Sequence, residues 1–212
     1  MKFSKSWAAA AAMLALTGAA QAALVSRPGG MVYDSTLNIT WLADWNYART
    51  SGFDADGLMN WTTANNWANN LVYGGYSDWR LPTSLNADGT GPCGPPAFNC
   101  SGSEMGHMFY NNWDATAGSV FSSGTNAANL ALFSNVQSTV YWSGTEYAPD
   151  RDAAWIFRTF DGLQSLGQQH SALYAVAVRR GDVAARVPEP QTLALALLAL
   201  GAMVVARRRR PR

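Results

Sequence analysis

The two ends of the chain limit what can fold between them. Residues 193–206 form an uncharged run of Leu, Ala, Val, Met and Gly, and Arg207, Arg208, Arg209 and Arg210 follow it directly. A helix of this length reaches about 21 Å, short of the ~30 Å hydrocarbon core, but snorkelling arginines and preceding polar turns extend its reach. The run predicts one transmembrane helix with its arginines in the cytoplasm. A buried core helix followed by a basic tail is the alternative, and the absence of a polar face disfavours it.

The N-terminus has the layout of a secretory signal. Lys2 and Lys5 precede an apolar stretch, and the small residues that follow include an Ala-Gln-Ala triplet at residues 20–22. A basic, an apolar and a small-residue region in this order predict a signal peptide over residues 1–22, with cleavage after its last residue. The chain is therefore expected to be exported, with everything before the C-terminal helix outside the cytoplasm.

Removal of both targeting segments leaves residues 23–186, a length typical of one domain. This region has no Lys and holds eight Arg against thirteen Asp and Glu, so its net charge is −5, although that of the whole chain is +1. An acidic domain is not expected to bind nucleic acid or an anionic membrane surface. Cations and neutral polymers are easier ligands for it.

The composition of this region is rich in aromatic residues and poor in Leu, Ile and Val. It contains eight of the nine Trp and all eight Tyr. Aromatic side chains must therefore fill much of the core. Carbohydrate-binding proteins also expose Trp and Tyr, whose rings stack on sugars while Asn and Asp reach the hydroxyls, and composition does not separate the two uses.

Cys93 and Cys100 are the only cysteines, and six residues separate them. In an exported protein such a pair predicts a disulfide that closes a small loop. The alternative, a metal ligand or a catalytic thiol, lacks nearby His or further Cys at zinc spacing.

Hydrophobic spacing predicts an α+β domain in which two short helices precede most of the strands. An N-terminal hairpin is expected over residues 31–33 and 39–42. Residues 61–71 have helical spacing with Asn60 as N-cap, and Ser101 and Glu104 have the spacing of a capping box that opens a second helix to about residue 111. A C-terminal antiparallel meander is predicted over residues 139–145, 153–160, 163–167 and 173–180.

Residues that could carry catalysis are few. The chain has two histidines, and no nucleophile, zinc or nucleotide motif accompanies them. The carboxylate pairs Asp54/Asp56 and Asp150/Asp152 could support glycoside hydrolysis only at a separation that a sequence does not show. We therefore predict that the protein is not an enzyme and that His107, on the second helix, is structural.

Two acidic loops are candidate calcium sites. Asp54 and Asp56 alternate before a Gly turn, and Glu146, Asp150 and Asp152 cluster between two predicted strands. Carboxylates at alternate positions are typical of calcium loops, but the first segment lacks the remaining ligands of an EF-hand. A solvated acidic loop is the alternative for both.

Residues 187–212 resemble a known sorting signal. Val187-Pro188-Glu189-Pro190, a short apolar helix and an arginine-rich end occur in the order of the PEP-CTERM signal of Gram-negative bacteria. The resemblance implies processing by an exosortase, a membrane-embedded cysteine peptidase or transpeptidase, with Pro188, Glu189 and Pro190 as the recognition element. The chain is then expected to be anchored in the inner membrane facing the periplasm during sorting, and later to reach the cell surface or extracellular matrix.

Five segments of the central region carry a second resemblance. They are Thr40-Trp41-Leu42, Met59-Asn60-Trp61 with Ala64 and Trp67, Gly75-Tyr76-Ser77-Asp78-Trp79-Arg80-Leu81-Pro82-Thr83, Tyr141-Trp142-Ser143-Gly144-Thr145-Glu146 and Tyr174-Ala175-Val176-Ala177-Val178-Arg179. Their order resembles a family of bacterial extracellular domains that includes the C-terminal domain of a collagen-like adhesin. The resemblance implies a compact C-type-lectin-like fold and adhesion to polyanionic or neutral glycans.

Within the third of these segments, we interpret residues 78–83 as framework rather than ligand contact. Trp79 is expected to pack between the first helix and the C-terminal sheet. Arg80 is expected to pair with Asp78 or another carboxylate, and Pro82 to end the strand.

Together these observations predict an exported, exosortase-sorted surface or matrix protein. Its one non-catalytic, C-type-lectin-like domain, residues 23–186, is expected to bind extracellular polysaccharide. Two alternatives stay open: a hydrolase that acts on the exopolysaccharide matrix, and a structural matrix component with no ligand.

Overall fold

The computed structural model describes residues 24–183, which form two antiparallel sheets and several short helices. The predicted signal peptide, the Pro-Glu-Pro triplet at residues 188–190 and the apolar run with its arginines lie outside the described residues. Within residues 24–183, no helix is both long and apolar enough to cross a bilayer.

Short strands and short helices make up the described chain. The strands are β1 (Leu24–Arg27), β2 (Met31–Asp34), β3 (Ile39–Leu42), β4 (Val140–Glu146), β5 (Ala153–Arg158), β6 (Gln164–Gln168) and β7 (Val178–Arg180). The α-helices are α1 (Tyr47–Thr50), α2 (Trp61–Asn69), α3 (Glu104–His107) and α4 (Ala127–Leu130). A π-helical turn (Met108–Asn112) continues α3, and a 3₁₀ turn covers Phe121–Ser123.

The first sheet has the strand order β1-β2-β3-β7 and is antiparallel throughout. The predicted hairpin is confirmed, because β2 and β3 pair with Asp34 opposite Ile39. The Asp34 carboxylate stabilises the turn by accepting hydrogen bonds from the amides of Thr36 and Leu37. The sequence does not predict β1, which begins one residue after the expected cleavage site.

The second sheet is the three-stranded meander β4-β5-β6. The expected fourth strand over residues 173–180 is wrong, since only β7 forms there and it pairs with β3 in the first sheet. The preceding residues cross between the sheets: the Tyr174 carbonyl accepts from the Trp142 amide, and the Ala177 carbonyl accepts from the Leu42 amide. A short apolar run is compatible with either sheet, so its pattern alone does not identify the partner strand.

Helix α2 confirms the first predicted helix. It begins after Asn60, whose side chain accepts a hydrogen bond from the Thr63 amide, and this satisfies one of the amides left free at a helix start. Ala64, Trp67 and Ala68 form its buried face. The opposite face is polar and contributes to the site described below.

The capping box predicted for the second helix is wrong. Ser103, not Ser101, is the N-cap of α3, and its hydroxyl accepts a hydrogen bond from the Gly106 amide. Glu104 instead binds Arg80 in another part of the fold. A Cβ at residue 106 would lie 1.9 Å from the Cys100 carbonyl oxygen, so this close approach requires glycine.

Aromatic side chains fill the core, as the composition predicts. Seven of the eight Trp in the described chain are at most 4 % exposed, so they are core residues rather than sugar platforms. Trp45 stacks on Trp41 with ring centroids 5.4 Å apart. Trp79 packs with Trp67 of α2 and Trp142 of β4, which confirms its expected role as framework.

Candidate functional site

Two adjoining clefts lie beside α2 and β7, and they share Arg80, Thr83 and Arg180 as lining residues. Their volumes are about 370 and 380 Å³. We call the two clefts together the arginine groove. The polar residues that complete its lining are Asn38, Asn86, Glu104, Asn65 and Asn69.

The polar face of α2 supplies two amide side chains to the groove. Asn65 and Asn69 are one helical turn apart and therefore lie on the same face. Asn65 donates from Nδ2 to the Trp61 carbonyl, which leaves its Oδ1 free. The Asn69 side chain is exposed and makes no hydrogen bond to any residue that the structure describes.

Arg80 forms a fixed wall of the groove. Its Nη1 and Nη2 donate to the two carboxylate oxygens of Glu104 at 2.8 and 2.6 Å, and Nη1 also donates to the Leu81 carbonyl. Glu104 accepts a third hydrogen bond from the Thr83 amide at 2.7 Å. Burial lowers the pKa of Arg80, but the hydrogen bonds and charge of Glu104 outweigh burial and raise that pKa above its ordinary value. Of the two expected partners of Arg80, Asp78 or another carboxylate, the structure therefore shows the second, Glu104.

Arg180 contributes a free positive charge. Its neighbour Arg179 is held by both oxygens of Asp78, at 2.8 and 3.0 Å, and lies over the ring of Tyr76. Asp78 is thus occupied, and the Arg179 guanidinium lowers its pKa. Consecutive residues of a strand point to opposite faces. Arg180 lines the groove, and it forms no hydrogen bond or ion pair with the described residues.

The groove combines a free guanidinium with amide groups that can donate and accept. Of the described residues that line it, Glu104 is the only carboxylate, and Arg80 already engages both of its oxygens. No His lines either cleft. This set of groups is suited to reversible binding of a ligand rich in hydroxyl or anionic oxygens.

Asp54 and Asp56 form a turn in the structure. Asp54 Oδ1 accepts hydrogen bonds from the amides of Asp56 and Gly57, and these bonds lower the pKa of Asp54. Asp56 Oδ1 accepts from the Leu58 amide. Both carboxylates therefore shape the local chain, whether or not an ion binds.

The second acidic loop lies between β4 and β5. Glu146, Asp150 and Asp152 are exposed, and Asp150 accepts a hydrogen bond from the Asp152 amide. In the described part of the chain, no three His, Cys, Asp or Glu side chains converge as ligands for a metal ion. Calcium binding by either loop stays a prediction.

The two histidines lie apart from the arginine groove. His107 is 7 % exposed, and its Nε2 lies 3.7 Å from Asp34 Oδ2, which also accepts from Asn112 Nδ2. Burial lowers the pKa of His107, and the charge of Asp34 opposes this effect only in part. His170 is exposed in the segment after β6. The buried position of His107 agrees with a structural role.

We expect acid to destabilise the domain through His107. Because its folded pKa lies below the unfolded value of about 6.5, the unfolded state binds more protons as the pH falls. The free energy of unfolding should therefore decrease below about pH 6.5, by up to about 1.4 kcal/mol per pH unit. Urea unfolding between pH 7.5 and 5.0 measures how the free energy of unfolding changes with pH. His107→Gln should reduce this pH dependence, whereas the control variant His170→Gln, at an exposed residue, should keep it. An equal slope in both variants would contradict the prediction.

The cysteines form the predicted pair. Cys93 and Cys100 are joined as a disulfide with their Cα atoms 6.0 Å apart. The loop that they close exchanges main-chain hydrogen bonds between Ala97 and Gln164 of β6. The disulfide loop thus pairs with the first residue of β6, the edge strand of the meander.

Comparison with known proteins supports both resemblances. The PEP-CTERM protein-sorting motif matches residues 186–210, which marks the chain for export and membrane-associated sorting by an exosortase. No curated protein and no solved structure matches the chain. The Lcl C-terminal domain matches residues 30–179, which is more than half of the chain and includes all five motif segments and most of the groove. The protein therefore belongs to the Lcl C-terminal domain family.

Proposed function

We propose that this protein is an exosortase-sorted surface or matrix protein that binds extracellular carbohydrate in the arginine groove and catalyses no reaction. Its sorting motif and its membership of an adhesin-like family support the first part. We further propose that the domain is C-type-lectin-like. Two antiparallel sheets, with β7 returning to pair with β3, support this assignment.

The observation that carries the carbohydrate proposal is the set of unpaired groups in the groove. Asn65 offers an amide oxygen, Asn69 a whole amide, and Arg180 a guanidinium. Sugar hydroxyls both donate and accept hydrogen bonds. A site that combines amides with a guanidinium therefore suits them better than a site with only one of these groups. Each cleft also falls within the range of about 300–1,000 Å³ that is usual for ligand pockets.

Variants of the groove test this proposal directly. We expect Arg180→Ala to weaken glycan binding about 10-fold to 100-fold, since a hydrogen bond to a charged group is worth about 1.5–3 kcal/mol. Asn69→Ala should weaken it about 2-fold to 10-fold, since a hydrogen bond between neutral groups is worth about 0.5–1.5 kcal/mol. The matched controls Asn66→Ala and Arg151→Ala change exposed residues outside the groove and should bind like the wild type. A glycan array with the full chain in detergent, followed by titration of the best ligand, measures the change.

The same array separates the alternatives. Saturable binding without new reducing ends supports the proposal, whereas release of shortened saccharides identifies a hydrolase. Failure to bind any glycan identifies a structural matrix component. Repeating the titration with calcium and with a chelator tests whether Asp54 and Asp56, or Glu146, Asp150 and Asp152, hold an ion that the ligand requires.

A further inference from the structure

A second polar pocket lies between α1 and the segment that leads into β4. Its volume is about 270 Å³, and it is lined by Asn46, Arg49, Thr50, Asn135 and Gln137. We call it the Arg49 pocket. It shares no lining residue with the arginine groove, so the two sites can be tested independently.

The Arg49 pocket presents one free cation and, from Asn135 and Gln137, two free amide oxygens. The buried Oδ1 of Asn46, which also lines the pocket, has no hydrogen-bond partner among the described residues either. Arg49 is exposed and makes no side-chain hydrogen bond or ion pair with the residues that the structure describes. Asn135 donates from Nδ2 to Asp44 at 3.0 Å, and Gln137 donates from Nε2 to the Asn135 carbonyl at 2.8 Å. Their donors are thus used, while their side-chain oxygens remain available as acceptors.

The walls of the pocket are held in place by the surrounding fold. The amide of Trp45 donates to the Ser134 carbonyl, and the Ser134 amide donates to the Ala43 carbonyl. The Gln137 amide donates to the buried hydroxyl of Tyr141 at 2.8 Å. The main chain of the pocket is therefore already ordered, and the Arg49 side chain is the part that a ligand must order.

The chemistry of these groups identifies a class of ligand. A guanidinium binds a carboxylate through two parallel hydrogen bonds, which a single point charge does not reproduce. The two amide oxygens need donors, and sugar hydroxyls provide them. Asp44, next to Asn135, is itself negative and disfavours a ligand with several anionic groups. The pocket is smaller than the usual range for drug-sized ligands, which begins near 300 Å³, and suits one monosaccharide.

We propose that the Arg49 pocket binds a single sugar residue that carries one carboxylate, such as a uronic acid. With the arginine groove on another part of the surface, the domain would then hold two saccharide segments at once. Two linked sites raise the apparent affinity for a long polymer well above that for its fragments. This gain rests on the carbohydrate binding that we propose for the arginine groove.

Titration calorimetry of the full chain with glucuronate, glucose and acetate tests the proposal. We expect glucuronate to bind at least tenfold more tightly than glucose or acetate. Arg49→Ala should remove this preference, and Arg49→Lys should restore it only in part. Gln137→Glu should remove the preference as well, because it supplies Arg49 with a carboxylate partner inside the pocket.

Controls decide between this pocket and the groove. Arg151→Ala changes an exposed arginine outside both sites and should leave the affinity for glucuronate unchanged. Equal affinity for glucuronate in Arg49→Ala and the wild type would overturn the proposal, as would equal affinity for glucose and glucuronate. Loss of glucuronate binding in Arg180→Ala would place the acid in the arginine groove and overturn it as well.

Discussion

Replacement of Glu104 by Ala is expected to lower the free energy of unfolding by about 3 kcal/mol. Glu104 is 8 % exposed and accepts three hydrogen bonds, from Nη1 and Nη2 of Arg80 and from the amide of Thr83. Its removal leaves the Arg80 guanidinium without a counter-charge in a partly buried place. The 35 % exposure of the Arg80 side chain keeps the expected loss at the lower end of about 3–5 kcal/mol for broken buried pairs.

Urea unfolding followed by tryptophan fluorescence measures this loss. Glu146→Ala is the matched control, since Glu146 is exposed at the end of β4 and its removal should change stability by less than about 0.5 kcal/mol. The double variant Arg80→Met/Glu104→Leu should recover part of the loss, because it leaves no unpaired charge. A decrease in the free energy of unfolding below about 1 kcal/mol in Glu104→Ala would contradict the prediction. It would show that water solvates the unpaired Arg80 guanidinium and that the ion pair does not hold the groove wall.

Replacement of Trp45 by Ala is expected to destabilise the domain by about 3–5 kcal/mol. The Trp45 ring is 1 % exposed and stacks on that of Trp41. The other rings that contact it are those of Trp113, Phe133 and Tyr141. These planar rings adapt poorly to an empty space, so the cavity should persist and four aromatic contacts are lost together.

Thermal and urea unfolding of Trp45→Ala should show the lost stability as a large fall in Tm and in the urea midpoint. Trp45→Phe keeps part of the ring contacts and should cost clearly less. Phe53→Ala is the control for loss of an aromatic side chain without a cavity, because Phe53 is 55 % exposed. A cost for Trp45→Ala close to that of Phe53→Ala would contradict the central role of this ring.

Local patterns predict the elements whose stabilising contacts lie near in sequence. The hairpin over β2 and β3 and the N-cap of α2 at Asn60 are of this kind, since each depends on hydrogen bonds within a few residues. The capping box at Ser101 has the right spacing but the wrong partner. Arg80, 24 residues away in the chain, binds Glu104, and no local pattern contains that contact.

The arginine groove is predictable only in part. The spacing of Asn65 and Asn69 places them on one face of α2, but any solvated helix face has the same pattern. Arg180 is free because Arg179 occupies Asp78, a pairing across 101 positions of the chain. Likewise, the partner of β7 depends on the crossing of the chain between the two sheets, which hydrophobic spacing does not determine.

The first sheet contains both the first and the last strand of the described chain, and Arg27 and Asp182 bridge the two at 2.7 Å. Within this sheet, β1 pairs with β2 and β7 pairs with β3, and Val178 of β7 also exchanges main-chain hydrogen bonds with Arg80. Removal of residues outside 24–183 therefore leaves every strand pairing of this sheet in place. We accordingly expect a form processed at the sorting motif to keep the arginine groove and the Arg49 pocket.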